Sequence, residues 1–117
     1  MMDIIRLRSL CLSFSQTSED VKWDNDLCLT ILGKMYCIAH LGYPFRFSVK
    51  VEKDNLAEIL AHSGVKPAPY LARYNWVLIE EETSLTDQEL EQLIGNSYHL
   101  VVMGISPRKR AEAGLLQ

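Results

Sequence analysis

The chain has 117 residues, of which 48% are hydrophobic and 23% are charged, and it carries a net charge of −3. This length suits one compact domain with one core, expected here to span residues 1–117. The composition is typical of a globular chain rather than a disordered one. The mild acidity excludes a general electrostatic attraction to nucleic acid, so any contact with DNA has to come from a local basic patch.

The sequence contains no apolar run of the roughly 18 to 20 residues that span a bilayer. Arg6 and Arg8 interrupt the N-terminal apolar stretch where a signal peptide would have its hydrophobic segment. Cys11, Cys28 and Cys37 are widely spaced among apolar residues, which is typical of buried, reduced thiols rather than of a disulfide framework. We therefore expect a cytoplasmic protein with no membrane partner.

The first half of the chain predicts one helix followed by three strands. Asp3 suits the N-cap of a helix that runs to about Ser13. Residues 15–26 predict a polar loop in which Trp23 folds onto the sheet edge. Glycine-containing turns then separate the strands of an antiparallel meander. These strands are predicted at residues 27–32, 34–41 and 45–51.

The third of these strands alternates apolar and polar residues, the pattern of a sheet with one packed face and one solvent-exposed face. If the preceding loop places Leu41 opposite Phe45, polar and basic side chains of two strands lie together on the exposed face. These side chains are Tyr36, His40, Arg46 and Lys50.

The second half begins with a helix and an edge segment. Asp54 suits the N-cap of this helix, and Gly64 suits a left-handed residue at its end. Residues 66–70 contain two prolines, which cannot donate to a central strand pair, so this segment is expected along a sheet edge.

Residues 73–80 predict an inner strand. Trp76 and Leu78 share one face, and Val77 and Ile79 share the other. Both faces are apolar, which is typical of a strand that is covered on both sides. The indole of Trp76 is expected to anchor a helix packed across it.

A long helix follows, because Thr86 and Glu89 have the spacing of a capping box. Gly104 and Pro107 mark its end. Gly95 in its middle costs about 1 kcal/mol relative to alanine, so we expect a neighbouring element to approach closely there. The overall prediction is a two-layer α+β fold, an antiparallel sheet with helices packed on it, in the order α-β-β-β-α-β-β-α.

Motifs for catalysis and metal binding are missing from the sequence. Cys37 and His40 would point to opposite faces of a strand, and no second chelating pair exists. Ser97 and His99 are two residues apart on a helix and do not face each other. Since no phosphate-binding, dinucleotide-binding or nucleophile motif occurs either, we expect no enzyme, no metal and no cofactor.

The order of several short motifs resembles the MmcQ/YjbR family over nearly the whole length. Members of that family share a two-layer α+β fold that is compared with the frataxin-like fold or described as a double wing. The motifs are Glu19-Asp20-Val21-Lys22-Trp23, Asp26-Leu27-Cys28, Gly33-Lys34-Met35-Tyr36-Cys37, Phe47-Ser48-Val49-Lys50-Val51, Tyr70-Leu71 with Arg73 and Trp76, Leu85-Thr86-Asp87 with Glu89-Leu90, and Ser97-Tyr98 with Leu100-Val101-Val102.

The resemblance implies DNA binding, because the family is labelled DNA-binding on the basis of its comparison with the double-wing fold. Before the tryptophan the family tends to read His-Leu-Asn-Lys, any residue, then His-Trp. Here Arg73 keeps the positive charge and Trp76 the tryptophan, while Ala72 and Asn75 replace an amide and an imidazole.

Two functions therefore remain open at the level of the sequence. One is DNA binding through a local basic patch, and the other is protein interaction through the open sheet face or an unpaired sheet edge. Each basic residue also has an ordinary explanation as part of a solvated surface. The candidate DNA contacts are Arg46, Lys50, Lys66, Arg73, Arg108, Lys109 and Arg110.

Overall fold

A computed structural model describes residues 2–115 of the chain. Its strands are β1 (Thr17–Lys22), β2 (Asp26–Ile31), β3 (Lys34–His40), β4 (Arg46–Lys50), β5 (Val65–Pro67) and β6 (Trp76–Glu80). Its helices are α1 (Ile4–Leu12), α2 (Leu56–Leu60), α3 (Asp87–Met103) and α4 (Pro107–Glu112), with short 3-10 turns at Lys53–Asn55 and Ala72–Tyr74.

The strands form one antiparallel sheet in the order β1-β2-β3-β4-β6-β5. Helix α3 packs against β3 and β4, and α1 packs against α3, so the helices cover one face of the sheet. Residues from β2, β3, β4 and β6 point into this helix layer and form the core. The predicted two-layer α+β fold is confirmed, with one covered face and one open face.

The helix starts follow from local capping. The Asp3 carboxylate accepts a hydrogen bond from the backbone N–H of Arg6, and Thr86 and Glu89 form a reciprocal capping box at the start of α3. Both of these predicted caps are confirmed. The predicted cap at Asp54 is wrong, because a 3-10 turn precedes α2 and no side chain caps that helix. Gly64 has a φ of +75°, as predicted for a left-handed residue.

The predicted polar loop at residues 15–26 is wrong, since half of it, Thr17–Lys22, forms the edge strand β1. An edge strand pairs on one side only and needs little apolar character, so its sequence lacks the usual strand signal. The carboxylate of Glu19 instead accepts a hydrogen bond of 2.7 Å from the guanidinium of Arg8 in α1.

The chain beyond Gly104 also forms an unpredicted helix, α4, whose N-cap is Ser106.

The predicted role of Trp76 is wrong as well. Trp76 begins β6 and alternates with Val77 and Ile79, which face the helices and are almost fully buried. Trp76 therefore lies on the other face, where its side chain is only 6% exposed. The nearby Ala68 donates its N–H to the carbonyl oxygen of Trp76 at 3.1 Å.

A β-bulge changes the predicted position of Tyr36. Leu29 pairs with Cys37 and Thr30 pairs with Met35, so Tyr36 is an extra residue in β3. Its ring consequently faces the helix layer and is fully buried, and its hydroxyl lies 2.8 Å from the hydroxyl of Thr17. Tyr36 is thus absent from the open face on which it was expected.

The bulge is held by Ser97 of α3, which is fully buried. The Ser97 hydroxyl donates to the carbonyl oxygen of Tyr36 and accepts from the backbone N–H of Lys50 at 2.9 Å. One side chain thereby joins the long helix to two neighbouring strands, and it satisfies backbone groups that would be costly to bury unpaired.

Candidate binding groove on the open sheet face

A groove of about 570 Å³ runs over the open face of the sheet. We call it the open-face groove and define it by its floor and its two rims. The floor comes from the central strands, and the rims come from the β1–β2 turn and from the segment before β6. The defining residues are Ile38, Arg46, Ser48 and Leu78 on the floor, with Trp23 and Tyr70 on the rims.

A polar row crosses the floor at one end. Asp26 of β2 is paired with His40 of β3, and Arg46 of β4 is paired with Glu80 of β6. The pairing of Ala39 with Phe47 places His40 beside Arg46. The predicted neighbourhood of these two side chains on the open face is therefore correct.

The carboxylates at the ends of this row already have partners. Asp26 lies 3.6 Å from Nδ1 of His40, and Glu80 lies 3.1 Å from Nζ of Lys66. Arg46 stands between them, half-buried, and among residues 2–115 it forms no ion pair and no side-chain hydrogen bond. It is a cation with unused donors at the edge of an apolar floor.

The next row of the floor is largely apolar. Ile38 pairs with Ser48, and Ser48 pairs with Leu78, so the three side chains lie side by side across β3, β4 and β6. Ile38 and Leu78 are half-buried, which leaves apolar surface in contact with water at the bottom of a groove. Apolar surface in a concave site with few polar groups is typical of a binding site.

The rims carry large aromatic side chains that are exposed. Trp23 is 64% exposed and Tyr70 is 99% exposed. Both residues have positive φ values, 51° and 65°, a conformation that is costly for bulky side chains. The expectation that Trp23 folds down onto the sheet edge is therefore wrong. Strained residues of this kind cluster at functional sites, where the surrounding fold imposes them.

Sequence reasoning did not single out these rim residues as a site. A signal existed at Trp23, because Asp24 and Asn25 are turn formers that tolerate left-handed conformations in a hairpin. No such local signal marks Tyr70, whose conformation depends on how the proline-containing segment returns to β6.

The groove contains the residue types of a charge-relay triad but not its geometry. Asp26, His40 and Ser48 all line it. However, Nε2 of His40 faces Gly42, where an added Cβ would lie only 2.6 Å away. Within the described part of the chain, the Ser48 hydroxyl makes no hydrogen bond to His40. The arrangement therefore lacks the aligned nucleophile and base that acyl transfer needs.

The described residues also contain no group of three or more His, Cys, Asp or Glu side chains placed to hold a metal ion. The three cysteines are free and buried, as predicted. Burial raises the pKa of the Cys37 thiol and of the Cys28 thiol, which keeps both protonated and unreactive at neutral pH.

The basic residues proposed from the sequence are distributed over several places. Arg46 and Lys50 lie on the open face of β4. Lys66 lies on the edge strand β5 and is paired with Glu80. The Arg73 guanidinium lies 4.8 Å from the ring centre of Tyr74 and donates to its hydroxyl at 2.8 Å, so part of its donor capacity is used.

The C-terminal basic residues are on a different side of the molecule. Arg108, Lys109 and Arg110 belong to α4, which joins the helix layer through the buried side chains of Ile105 and Leu115 at its two ends. The structure therefore does not bring the candidate cations into one patch. Those of β4 face away from those of α4.

In the region that the structure describes, no helix is both long enough and apolar enough to cross a membrane.

The fold and the groove together define a small α+β domain with helices on one face of a sheet and an open groove on the other. The family model named YjbR matches residues 12–100 of the chain. The chain therefore belongs to the YjbR family, as its motifs indicated.

Solved structures that are similar to the chain include two bacterial proteins. The first is the Deinococcus radiodurans protein DR2400, which contains a DUF419 domain. It has a TM-score of 0.89 and 28% identity, over 98% of this chain and 90% of that one. The second, a protein from Pseudomonas syringae, has a TM-score of 0.72 and 16% identity, over 85% of this chain and 98% of that one. Comparison with curated proteins gives no match.

Proposed function

We propose that this chain is a non-catalytic binding protein whose open-face groove takes a segment of another protein. The observation that carries this proposal is the pair of rim aromatics. Trp23 and Tyr70 are held in costly backbone conformations with their rings exposed, on opposite sides of an apolar floor. Exposed aromatic residues dominate the energetics of protein interfaces, because they bury a large area with few rotatable bonds.

The charges around the groove favour a protein segment over duplex DNA. Asp26 and Glu80 stand on either side of Arg46, and a continuous phosphate backbone would meet both carboxylates. The cations of α4 lie in the helix layer and cannot contact the same duplex face as Arg46. The net charge of −3 adds a further repulsion.

DNA binding remains the competing proposal, and one observation favours it. Arg46 and Lys50 stand on the same face of β4, and neither is used in an ion pair within the described chain. Two cations on one strand support a weak, salt-sensitive contact.

The location that we propose for the protein is the cytoplasm. The buried, reduced cysteines support this proposal, because they are typical of a reducing compartment.

A peptide-display selection on the immobilised protein tests the proposal. We expect recovered peptides to lose binding when Trp23→Ala and Tyr70→Ala are combined, because the groove then lacks both rims. Ile5→Ala is the matched control, since Ile5 is 78% exposed but lies on α1 in the helix layer. Circular dichroism and a thermal melt establish that each variant is folded.

Two results would contradict the proposal. One is the absence of any enriched peptide while labelled duplex binds at about 50 mM salt, where electrostatic contacts are strong. This result would favour DNA binding over the binding of a protein segment. The other is an equal loss of binding in the Ile5→Ala control, which would place the peptide outside the groove.

A further inference from the structure

From the charges on the groove floor we infer that the bound segment carries a carboxylate that pairs with Arg46. A neighbouring apolar side chain of the same segment rests on Ile38 and Leu78. This inference rests on the proposed function and adds the chemistry of the partner to it.

The first step concerns the carboxylates nearest to Arg46. Glu80 stands directly opposite on β6, yet it is paired with Lys66 on the far edge of the sheet at 3.1 Å. On the other side, Asp26 lies beside His40. Neither of these two carboxylates therefore pairs with Arg46. This arrangement leaves the guanidinium half-buried and without an anion from residues 2–115.

The second step concerns the cost of covering the groove. A ligand that fills the groove removes water from Arg46, and a charged group that loses its water without gaining a partner is strongly destabilising. A carboxylate on the ligand offsets this cost, because the planar guanidinium can donate two parallel hydrogen bonds to it. A neutral or basic segment has no such compensation.

The third step gives the spacing of the ligand's groups. Arg46 and Ser48 are two residues apart on the same face of β4, a distance of about 7 Å along a strand. Ile38 and Leu78 lie on either side of Ser48. An extended segment that runs along β4 repeats its side chains at the same interval. It therefore meets both features with an acidic residue two positions from an apolar one.

The test uses peptides enriched in the display selection, synthesised with a fluorescent label. We expect them to share an Asp or Glu two positions from an apolar residue. The variant Arg46→Gln should weaken binding about tenfold or more, a difference of about 1.4 kcal/mol. Lys50→Gln is the matched control, because Lys50 lies on the same face of the same strand but outside the groove. It should leave the affinity nearly unchanged.

A double-mutant cycle then separates this ion pair from a general effect of charge. Replacing the acidic residue of the peptide by its amide should weaken binding to the wild-type protein and have little further effect on Arg46→Gln. The charge reversal Arg46→Glu should restore binding of a peptide that carries lysine at the same position. If Arg46 had only a structural role, the Arg46→Glu variant would not bind the lysine peptide more tightly than the wild-type protein does.

The outcomes distinguish this inference from the proposed function. One outcome is that peptides need Trp23 and Tyr70 for binding but carry no preferred Asp or Glu and bind Arg46→Gln as well as the wild type. This outcome would overturn the inferred carboxylate and leave the groove as a binding site. Selection without any enriched peptide would overturn both. An oligonucleotide that binds in an Arg46-dependent way, where no peptide does, would replace the protein partner by a nucleic acid.

Discussion

On the helix-covered face of the sheet, the side chains of Phe47, Val49 and Ile79 are almost fully buried. On the open face, the side chains of Ile38 in β3 and Leu78 in β6 are only half-buried. The two faces are formed by the same strands, and alternation along each strand assigns its residues to one face or the other. The covered face gains stability from close packing. The open face keeps apolar surface, exposed aromatic rims and an arginine, Arg46, that has no ion pair among residues 2–115, and we expect these features to add little to stability. The difference shows that close packing is concentrated on one face of the sheet, and under the proposed function the other face is the one used for binding.

The largest expected effect compares one residue from each face. Phe47→Ala should lower the free energy of unfolding by about 3 to 5 kcal/mol, because it leaves a cavity in a close-packed core. Leu78→Ala should cost only about 1 kcal/mol, because this side chain is already partly in water. Urea denaturation of both variants measures the two values. Equal losses would mean that the open face is as tightly packed as the covered one.

The next effect concerns the hydrogen bonds that join α3 to the sheet. Ser97→Ala should cost about 1 to 3 kcal/mol, since the carbonyl oxygen of Tyr36 and the N–H of Lys50 lose their shared partner in a buried place. The exposed Ser9→Ala on α1 is the control and should stay within about 0.5 kcal/mol of the wild type. Chemical denaturation checks both variants, and a Ser97→Ala midpoint equal to that of the control would show that the bulge needs no such bridge.

A smaller, opposite effect is expected at Gly95 of α3. An added Cβ there would lie 3.8 Å from the ring of Phe14, which is ordinary contact, so the expected close approach at this glycine is wrong. Gly95→Ala should therefore stabilise the protein by up to about 1 kcal/mol through the higher helix propensity of alanine. A thermal melt gives the sign, and a lower melting temperature would indicate crowding between α3 and Phe14 that the geometry does not show.

The smallest expected effect is a pH dependence of stability at the α1–β1 contact. The hydrogen bonds from Arg8 hold the pKa of Glu19 below its ordinary value of 4.5. The contribution of this pair is present above that value and is lost as the pH falls through the lower pKa of the folded protein. Comparing the urea midpoints of the wild type and Glu19→Gln between pH 7 and pH 3 measures it. A difference that grows towards low pH would contradict the assignment.

Several elements could be predicted because their signals are local. The caps at Asp3 and Thr86 depend on residues within one helical turn, and the alternation in β4 depends on neighbours along one strand. The elements that were missed differ in this respect. The edge strand β1 pairs on one side and carries charged residues, so its local signal is weak. Helix α4 has a clear local signal, the N-cap Ser106 followed by Pro107, but the proline was interpreted only as the end of α3.

The sequence by itself determined the α+β class, the strand alternation and the helix caps, because the signals for helices and strands lie in residues that are close in the chain. Only the tertiary structure decided the site. The bulge moves Tyr36 into the core, Trp76 is buried on the face away from the helices, and the chain brings Trp23 and Tyr70 to opposite rims of one groove. Such placements depend on pairing between distant strands, where a shift of one residue exchanges the two faces of a sheet.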